Sequence, residues 1–348
     1  MDKTKRKLLT TRKTYEKAMM PVTPETVWKA TTQELKLLLN TGTLVPKPPK
    51  TIFCAPSFMN YRTSRFYTKP NQFSTISVTG RHCSLNCKHC GGKILATMQP
   101  AVTPETLFTV CSKLKRTGAQ GCLISGGCLP NGSVPLKQFI PSMEKIKREL
   151  DLTVIVHTGI IDYTTAIALR KARVDAALID IIGSNKTIHD IYNSNFTVEA
   201  YARSLKMLNG AHLNFVPHVI VGLHHGKLRG EFRALQLISR YKPSALVLIA
   251  FMPIRGTAMA LVEPPQPMSI ARVAATARLM FPETPIALGC MRPKGKHRAE
   301  TDVLCLKAGV DAIAFPSEEA IEYAENQEYA VSFISSCCSQ IYMNKCVK

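Results

Sequence analysis

The sequence predicts an α/β protein folded as a (βα)8 TIM-type barrel, and three observations carry that prediction. From Phe73 onward, short apolar, β-branched runs alternate with helical patterns, the sign of βα units on a parallel sheet. The candidate strands begin at Phe73, Gly121, Leu152, Asp175, Asn214, Ala245, Pro285 and Asp311, which makes eight. At 348 residues, 45% of them apolar, the chain is long enough to bury a core of that size.

Four segments follow. Residues 1–50 read as a basic helical leader in which Thr23-Pro24-Glu25 opens a helix. Leu35, Leu37, Leu38 and Leu39 supply its apolar face until Asn40 and Gly42 stop it, and VPKPPK cannot continue it. Residues 51–72 are aromatic and irregular and read as a cover over the barrel; 73–328 form the barrel; 329–348 form a Cys-containing C-terminal cap that folds back on it.

The first barrel helix carries clear signals. Thr103 is its N-cap, Pro104 its first residue, and Leu107, Val110, Cys111 and Leu114 share one face until Gly118. Cys111 is therefore read as packing, and so is Cys305 on the seventh helix.

The longest apolar stretch, near Ala245 to Ile254, falls far short of the roughly 20 residues that a membrane span needs. The N-terminus is basic without an apolar h-region, so a cytoplasmic location is expected. Twelve Cys in such a chain argue for metal binding rather than a disulfide framework. The formal net charge of +21 suits nucleic acid, an anionic cofactor or an acidic protein. Apart from the N-terminal 20 residues and Arg292 to Arg298, the basic residues are scattered without the arginine-aromatic blocks that bind single strands; the excess reads equally as a solvated surface, and among partners an acidic carrier domain comes before RNA.

Active sites of such barrels lie at the C-terminal ends of the strands. After the first strand comes FSTISVTGRHCSLNCKHCGGK, residues 73–93, with Cys83, Cys87 and Cys90 spaced Cys-x3-Cys-x2-Cys. Three thiolates on one loop can hold an iron–sulfur cubane and leave one iron open to a non-protein ligand. The alternative is a structural zinc site with His89 or His82 as fourth ligand, although no second short-spaced ligand pair follows. The second strand ends Ser125-Gly126-Gly127-Cys128, where two glycines admit a ligand close to the backbone. His157, Asp180, Gly222, Cys290 and Arg292 stand at the ends of later strands. His157 and His218 also fit hydrogen-bonded barrel histidines.

Four thiols remain that packing explains poorly: Cys128, Cys290, Cys337 and Cys338. They could hold a second cluster at the barrel mouth; alternatively, the vicinal pair is incidental and Cys128 packs as a small apolar residue. Cys54, Cys122 and Cys346 are weaker candidates.

The Cys spacing, with His89 before the last Cys, resembles the signature of the radical S-adenosylmethionine (SAM) superfamily. The stretches APSFMNYRTSRF, ISVTGRHCSLNCKHCGG, LISGGC, VHTG, GCMRPKG and the terminal SCC resemble the biotin synthase-related group of that superfamily, and within it one component of the archaeal-type two-protein lipoyl synthases. The resemblance implies a radical SAM barrel whose 4Fe-4S cluster, on Cys83, Cys87 and Cys90, binds SAM and yields a 5'-deoxyadenosyl radical. It implies SAM contacts at Gly126, Gly127, Asp180, Gly222, His157 and His218, and places Arg292 beside an auxiliary 4Fe-4S cluster. The group often shows Gly-Gly-Glu where this chain has Gly-Gly-Cys128, which puts one SAM contact in doubt. Cys122 matches a biotin synthase cluster cysteine, whereas the partners expected in the third and fifth strands are replaced near His157 and Pro217.

The implied reaction is sulfur insertion into an unactivated C–H bond of a protein-bound octanoyl group, with the auxiliary cluster sacrificed. The implied partners are an octanoylated lipoyl carrier protein, a second radical SAM component and an electron donor such as ferredoxin or flavodoxin, with no membrane. Two alternatives stand beside it: a biotin synthase-like or cofactor-maturation radical SAM enzyme with another small-molecule substrate, and a zinc-stabilised RNA-binding protein.

Overall fold

The computed structural model describes residues 22–46, 49–68 and 70–343. Residues 1–21 of the expected leader, and Cys346, lie outside the described residues. The strands are β1 (Lys50–Cys54), β2 (Phe73–Ser77), β3 (Gln99–Pro100), β4 (Gly121–Ser125), β5 (Thr153–His157), β6 (Ala176–Asp180), β7 (Phe215–Val221), β8 (Leu246–Ala250), β9 (Ile286–Leu288), β10 (Ala312–Ala314) and β11 (Ala330–Ile334). They form one parallel sheet in the order β11-β1-β10-β9-β8-β7-β6-β5-β4-β2-β3.

All eight expected strands are present, each starting within one residue of its predicted position. They are short apolar runs because helices cover one face and the curled interior covers the other; all seven residues of β7 are buried. The sheet is curled but not closed by strand pairing, which departs from the closed barrel expected. β10 pairs with β1, β1 pairs with β11, and β3 is the opposite edge. Ser57 bridges the seam, accepting from Phe73 N–H at 2.8 Å and donating to its carbonyl at 3.0 Å.

The run Lys50–Cys54 was read as the junction of leader and cover, yet it is a strand. Its neighbour β10 lies some 260 residues away in sequence, as the 260-residue span from Thr51 Oγ1 to its acceptor on Asp311 illustrates. The following segment lies over the end of β10, with the Tyr61 hydroxyl donating to Pro316 O at 2.7 Å. The leader is broken into two helices, Pro24–Lys29 and Thr32–Asn40, because Thr31 starts a second capping box with Glu34. Thr103 caps Pro104–Arg116 as expected.

Two sets of buried side chains result. Residues facing the helices include Ile124, Val154, Ile179 and Val219. The inward set is smaller in volume, with Ala176, Leu178, Val216, Val247, Ala287, Ala312 and Ala314, and leaves space that the tail enters. After β11 the chain turns inward, and the 3-10 turn Cys338–Gln340 packs against β8, β9 and β10.

The ends of β9 and β10 are tied by a fully buried ion pair. Arg292 donates to Asp302 through Nε (2.7 Å) and Nη2 (2.9 Å), and to the carbonyls of Gly289, Ala314 and Phe315. Asp302→Ala leaves a guanidinium buried without its counter-charge and is expected to cost about 3–5 kcal/mol, read as a lower urea midpoint at unchanged m-value.

Candidate active site

The Cys loop follows β2 and turns tightly on itself. Asn86, Gly91 and Gly92 are all left-handed, and the N–H groups of Cys90 (3.1 Å) and Gly91 (2.7 Å) both donate to Cys87 O. One ligand atom from each of Cys87, His89 and Cys90 lies within 4.8 Å of the others. The hydrogen bond between Cys87 and Cys90 divides the charge between them. It is the largest cause holding the Cys90 thiol below its ordinary range, with help from His89 and against burial, and it pushes Cys87 up together with burial.

Cys83 is outside that compact group and is fixed by the residues that end β4. A Cβ on Gly127 would lie 2.0 Å from His82 O and 2.6 Å from Cys83 Cα, so only glycine permits the contact. Gly127 N–H donates to Thr79 Oγ1 (2.7 Å), which in turn donates to His82 O (2.9 Å). Gly126 has Thr79 and Val78 beside it. The donor set of three sulfurs, on a loop pressed against a side-chain-free wall, fits an iron–sulfur cluster with one iron unprotected by this loop.

Three inward residues line the cavity next to it on neighbouring strands. His157 Nε2 is 3.5 Å from Asp180 Oδ1, and the rings of His157 and His218 are 5.9 Å apart. Burial works to raise the Asp180 carboxyl but is outweighed by His157, His218 and His89, which leave it below its usual value. His218 Nδ1 faces Val216 O at 3.1 Å, and burial pushes the ring down to about 4, so it is neutral at pH 7. Its Nε2 is then an acceptor.

Gly222 has φ +73° and lies under Pro265, whose ring a Cβ would meet at 2.6 Å. Its N–H donates to Glu231 Oε1 at 2.8 Å, while Glu231 Oε2 is buried without a partner and burial raises the carboxyl.

The four thiols expected to act together are divided. Cys128 sits with the loop cysteines: Ser84 N–H donates to Cys128 O at 2.8 Å, and burial, Cys83, Asp180 and Cys90 together push its thiol up to about 12. Cys290, Cys337 and Cys338 do converge, and the fourth sulfur among them is Cys54 at the end of β1. Cys337 interacts with Cys54 and with Cys290, and Cys338 with all three. Burial is the main cause raising Cys54 and Cys290, the latter to about 11, whereas Cys337 donates its backbone N–H to Gln340 Oε1 at 3.0 Å and so fixes the turn.

The resemblance, which places Arg292 beside an auxiliary cluster, also implies a catalytic role for it. Its hydrogen bonds instead go to Asp302 and backbone carbonyls, which makes it a positioning residue for the Cys290 loop. Cys122 is turned toward the helix layer, 3.9 Å from Cys111 Sγ, and Cys305 is packed in the same outer layer.

Sequence reasoning missed Tyr192. It lies on a π turn, Ile188–Tyr192, with a buried, unpartnered hydroxyl and its ring 5.4 Å from that of His89, whose Nδ1 is also buried and unpartnered. Such turns cluster at functional sites, but an insertion of this kind has no signature in hydrophobic period.

The parallel sheet, the sulfur tripod after β2 and the polar side chains beside it define an α/β enzyme of the radical SAM type. A model of the radical SAM superfamily matches residues 77–228. Biotin synthase of Zymomonas mobilis is 24% identical over 251 residues, covering 70% of this chain and 73% of its own. Two solved structures share the fold. The FeFe-hydrogenase maturase HydG has TM-score 0.62, 14% identity and coverage of 93% of this chain and 75% of its own; methylornithine synthase (PylB) has 0.55, 14%, 89% and 97%. The family match and the biotin synthase similarity support a radical SAM superfamily, biotin synthase-related protein. That relation implies a 4Fe-4S cluster, for which Cys83, Cys87 and Cys90 are the fitting ligands, and SAM. Among the described residues no helix is long and apolar enough to cross a membrane.

Two outcomes test this geometry. Gly127→Ala displaces the Cys83 segment and is expected to lower iron content by roughly four per chain, measured by iron and sulfide assay. For His218, the folded value near 4 lies below the ordinary 6.5, so the unfolded state binds the extra proton between those pH values and stability rises with pH there. The full difference amounts to about 3 kcal/mol. His218→Asn is expected to flatten the urea-midpoint profile between pH 4 and 6.5 relative to wild type.

Proposed function

We propose that this radical SAM enzyme inserts sulfur into an unactivated C–H bond of an octanoyl group carried on a lipoyl carrier protein. The observation that carries the reading is the nest formed by Cys54, Cys290, Cys337 and Cys338 inside the same barrel as the tripod. Three of these thiols are buried and Cys290 is half-buried, and four converging soft donors are a set suited to a metal centre. A second, auxiliary 4Fe-4S cluster suits four sulfur ligands, and its own sulfide is a donor for the product. The fourth ligand is thereby Cys54 in place of Cys128.

When bound at the tripod's cluster, SAM supplies a 5'-deoxyadenosyl radical able to take hydrogen from a methylene. The chain's residues do the rest. The curled sheet excludes water from the reacting groups, and Gly127 and Gly222 bring backbone close to bound ligands. Asp180, His157 and His218 offer one carboxylate and two rings toward the hydroxyl groups of a nucleoside or the amide of an acyl-lysine. Arg292 fixes the loop that carries Cys290 against β10.

A carrier protein is supported by charge. Arg81, Lys88, Lys93, Lys227, Arg255 and Lys294 are exposed on loops that follow the strand C-termini and form a basic rim suited to an acidic domain. A second radical SAM component and an electron donor such as ferredoxin or flavodoxin complete the proposed system.

The test is anaerobic reconstitution with SAM, reductant and an octanoyl-lysyl peptide. Wild type is expected to hold about eight irons, and Cys54→Ala or Cys337→Ala about four. Those variants are expected still to release 5'-deoxyadenosine while losing the thiolated product. A wild type with four irons, or SAM cleavage without sulfur transfer, refutes the reading and favours a radical SAM enzyme that needs no sacrificed sulfur.

A further inference from the structure

Cys128 is left over by the nest and stands beside the tripod, where family chemistry needs only three thiols. The backbone that carries it is the most closely held part of the site. Gly127 lies against Cys83 with no space for a Cβ, and the next residue's carbonyl accepts the Ser84 N–H at 2.8 Å. Cys128 is thus fixed on the side of Cys83, the loop sulfur that stands apart from the compact group of Cys87, His89 and Cys90. It packs, half-buried, against the same core as Cys83 and Cys90, and its sulfur makes no hydrogen bond among the described residues.

Three loop thiols satisfy three irons of a cubane, and protein-held cubanes ordinarily have four Cys ligands. A thiol delivered by a different strand, adjacent to the loop yet not part of it, is the soft ligand within reach of the fourth. We propose that Cys128 is a displaceable protein ligand that closes the open iron when SAM is absent and gives way when SAM binds. The exchange is redox-neutral. In one direction the thiol releases its proton to solvent and an iron–sulfur bond forms. In the other, the amino and carboxylate groups of SAM replace that bond and the thiolate takes a proton back. The open iron is thereby shielded from oxidation and loss until the cosubstrate arrives.

The proposal rests on the radical SAM reading of the tripod and is independent of sulfur insertion. Its test uses reconstituted protein in a Cys337→Ala/Cys338→Ala background, so that only the tripod's cluster is present and failure of the sulfurtransferase reading does not enter. Mössbauer spectra of the iron-57 protein without SAM are expected to show four sulfur-ligated irons with Cys128 intact. Cys128→Ala and Cys128→Ser are expected to show one distinct iron, which then loses iron faster under ferricyanide. Adding SAM is expected to produce the distinct iron in the Cys128 protein too. If the thiolate holds the iron in about nine molecules of ten, apparent SAM affinity rises about tenfold in Cys128→Ala. A distinct iron in the Cys128 protein before SAM is added, with unchanged affinity in both variants, overturns the proposal. Loss of the whole cluster in Cys128→Ser with circular dichroism intact overturns it as well, since a displaceable ligand is not required for assembly.

Discussion

The contact of Gly127 with the backbone of His82 and Cys83 is the constraint on which the site depends. A loop bearing three thiols cannot hold a cluster at a fixed place unless something rigid positions it, and here the rigid element is the end of β4. A side chain of any size at residue 127 would overlap His82 O, so the loop's distance from the sheet is set by the absence of a Cβ. Thr79 completes the clamp by accepting from Gly127 and donating to His82. Everything else in the cavity is referenced to that contact. His157, Asp180 and His218 come from strands one to three places beyond β4 in the same sheet, so their positions relative to the sulfurs are as rigid as the sheet itself.

The electrostatics of the cavity follow from a competition between burial and the neighbouring rings. Asp180 keeps a low value because three rings face it, yet His218 stays neutral because its own desolvation outweighs the carboxylate. The interior therefore presents one anion, neutral acceptors and thiols, with Arg292 already matched by Asp302. Such an interior attracts cationic centres, among them iron and the sulfonium of SAM, while the exposed lysines and arginines of the rim face outward.

Much of this was legible in the sequence because it is local. The strand runs, the capped helix at Thr103 and the tripod each depend on residues within one segment, and each stands where expected. What was not legible depends on pairings between distant segments. Cys54 reads as a weaker candidate on a loop; only its strand pairing with β10 and β11 puts it beside the other three thiols. Cys128 and Cys290 occupy comparable places after their strands, yet the curl carries one to the loop and the other to the tail. Arg292 stands where a catalytic arginine was expected, and the buried Asp302, ten residues on, claims it instead.

The two sulfur sites consequently differ in how they arise. The tripod is contained in eight consecutive positions and needs only β2 and the wall of β4. The nest takes Cys54 from the first strand, Cys290 from the loop after β9 and two thiols from a tail that enters only after β11 has paired with β1. Loop closure over such separations is repaid only when the whole sheet has formed. The metal uptake proposed at the nest would thus be coupled to completion of the fold, as binding energy at a site absent from the unfolded chain becomes folding energy. A chain interrupted before residue 337 can still offer its tripod, but it has neither the plug of the barrel nor two of the four nest sulfurs.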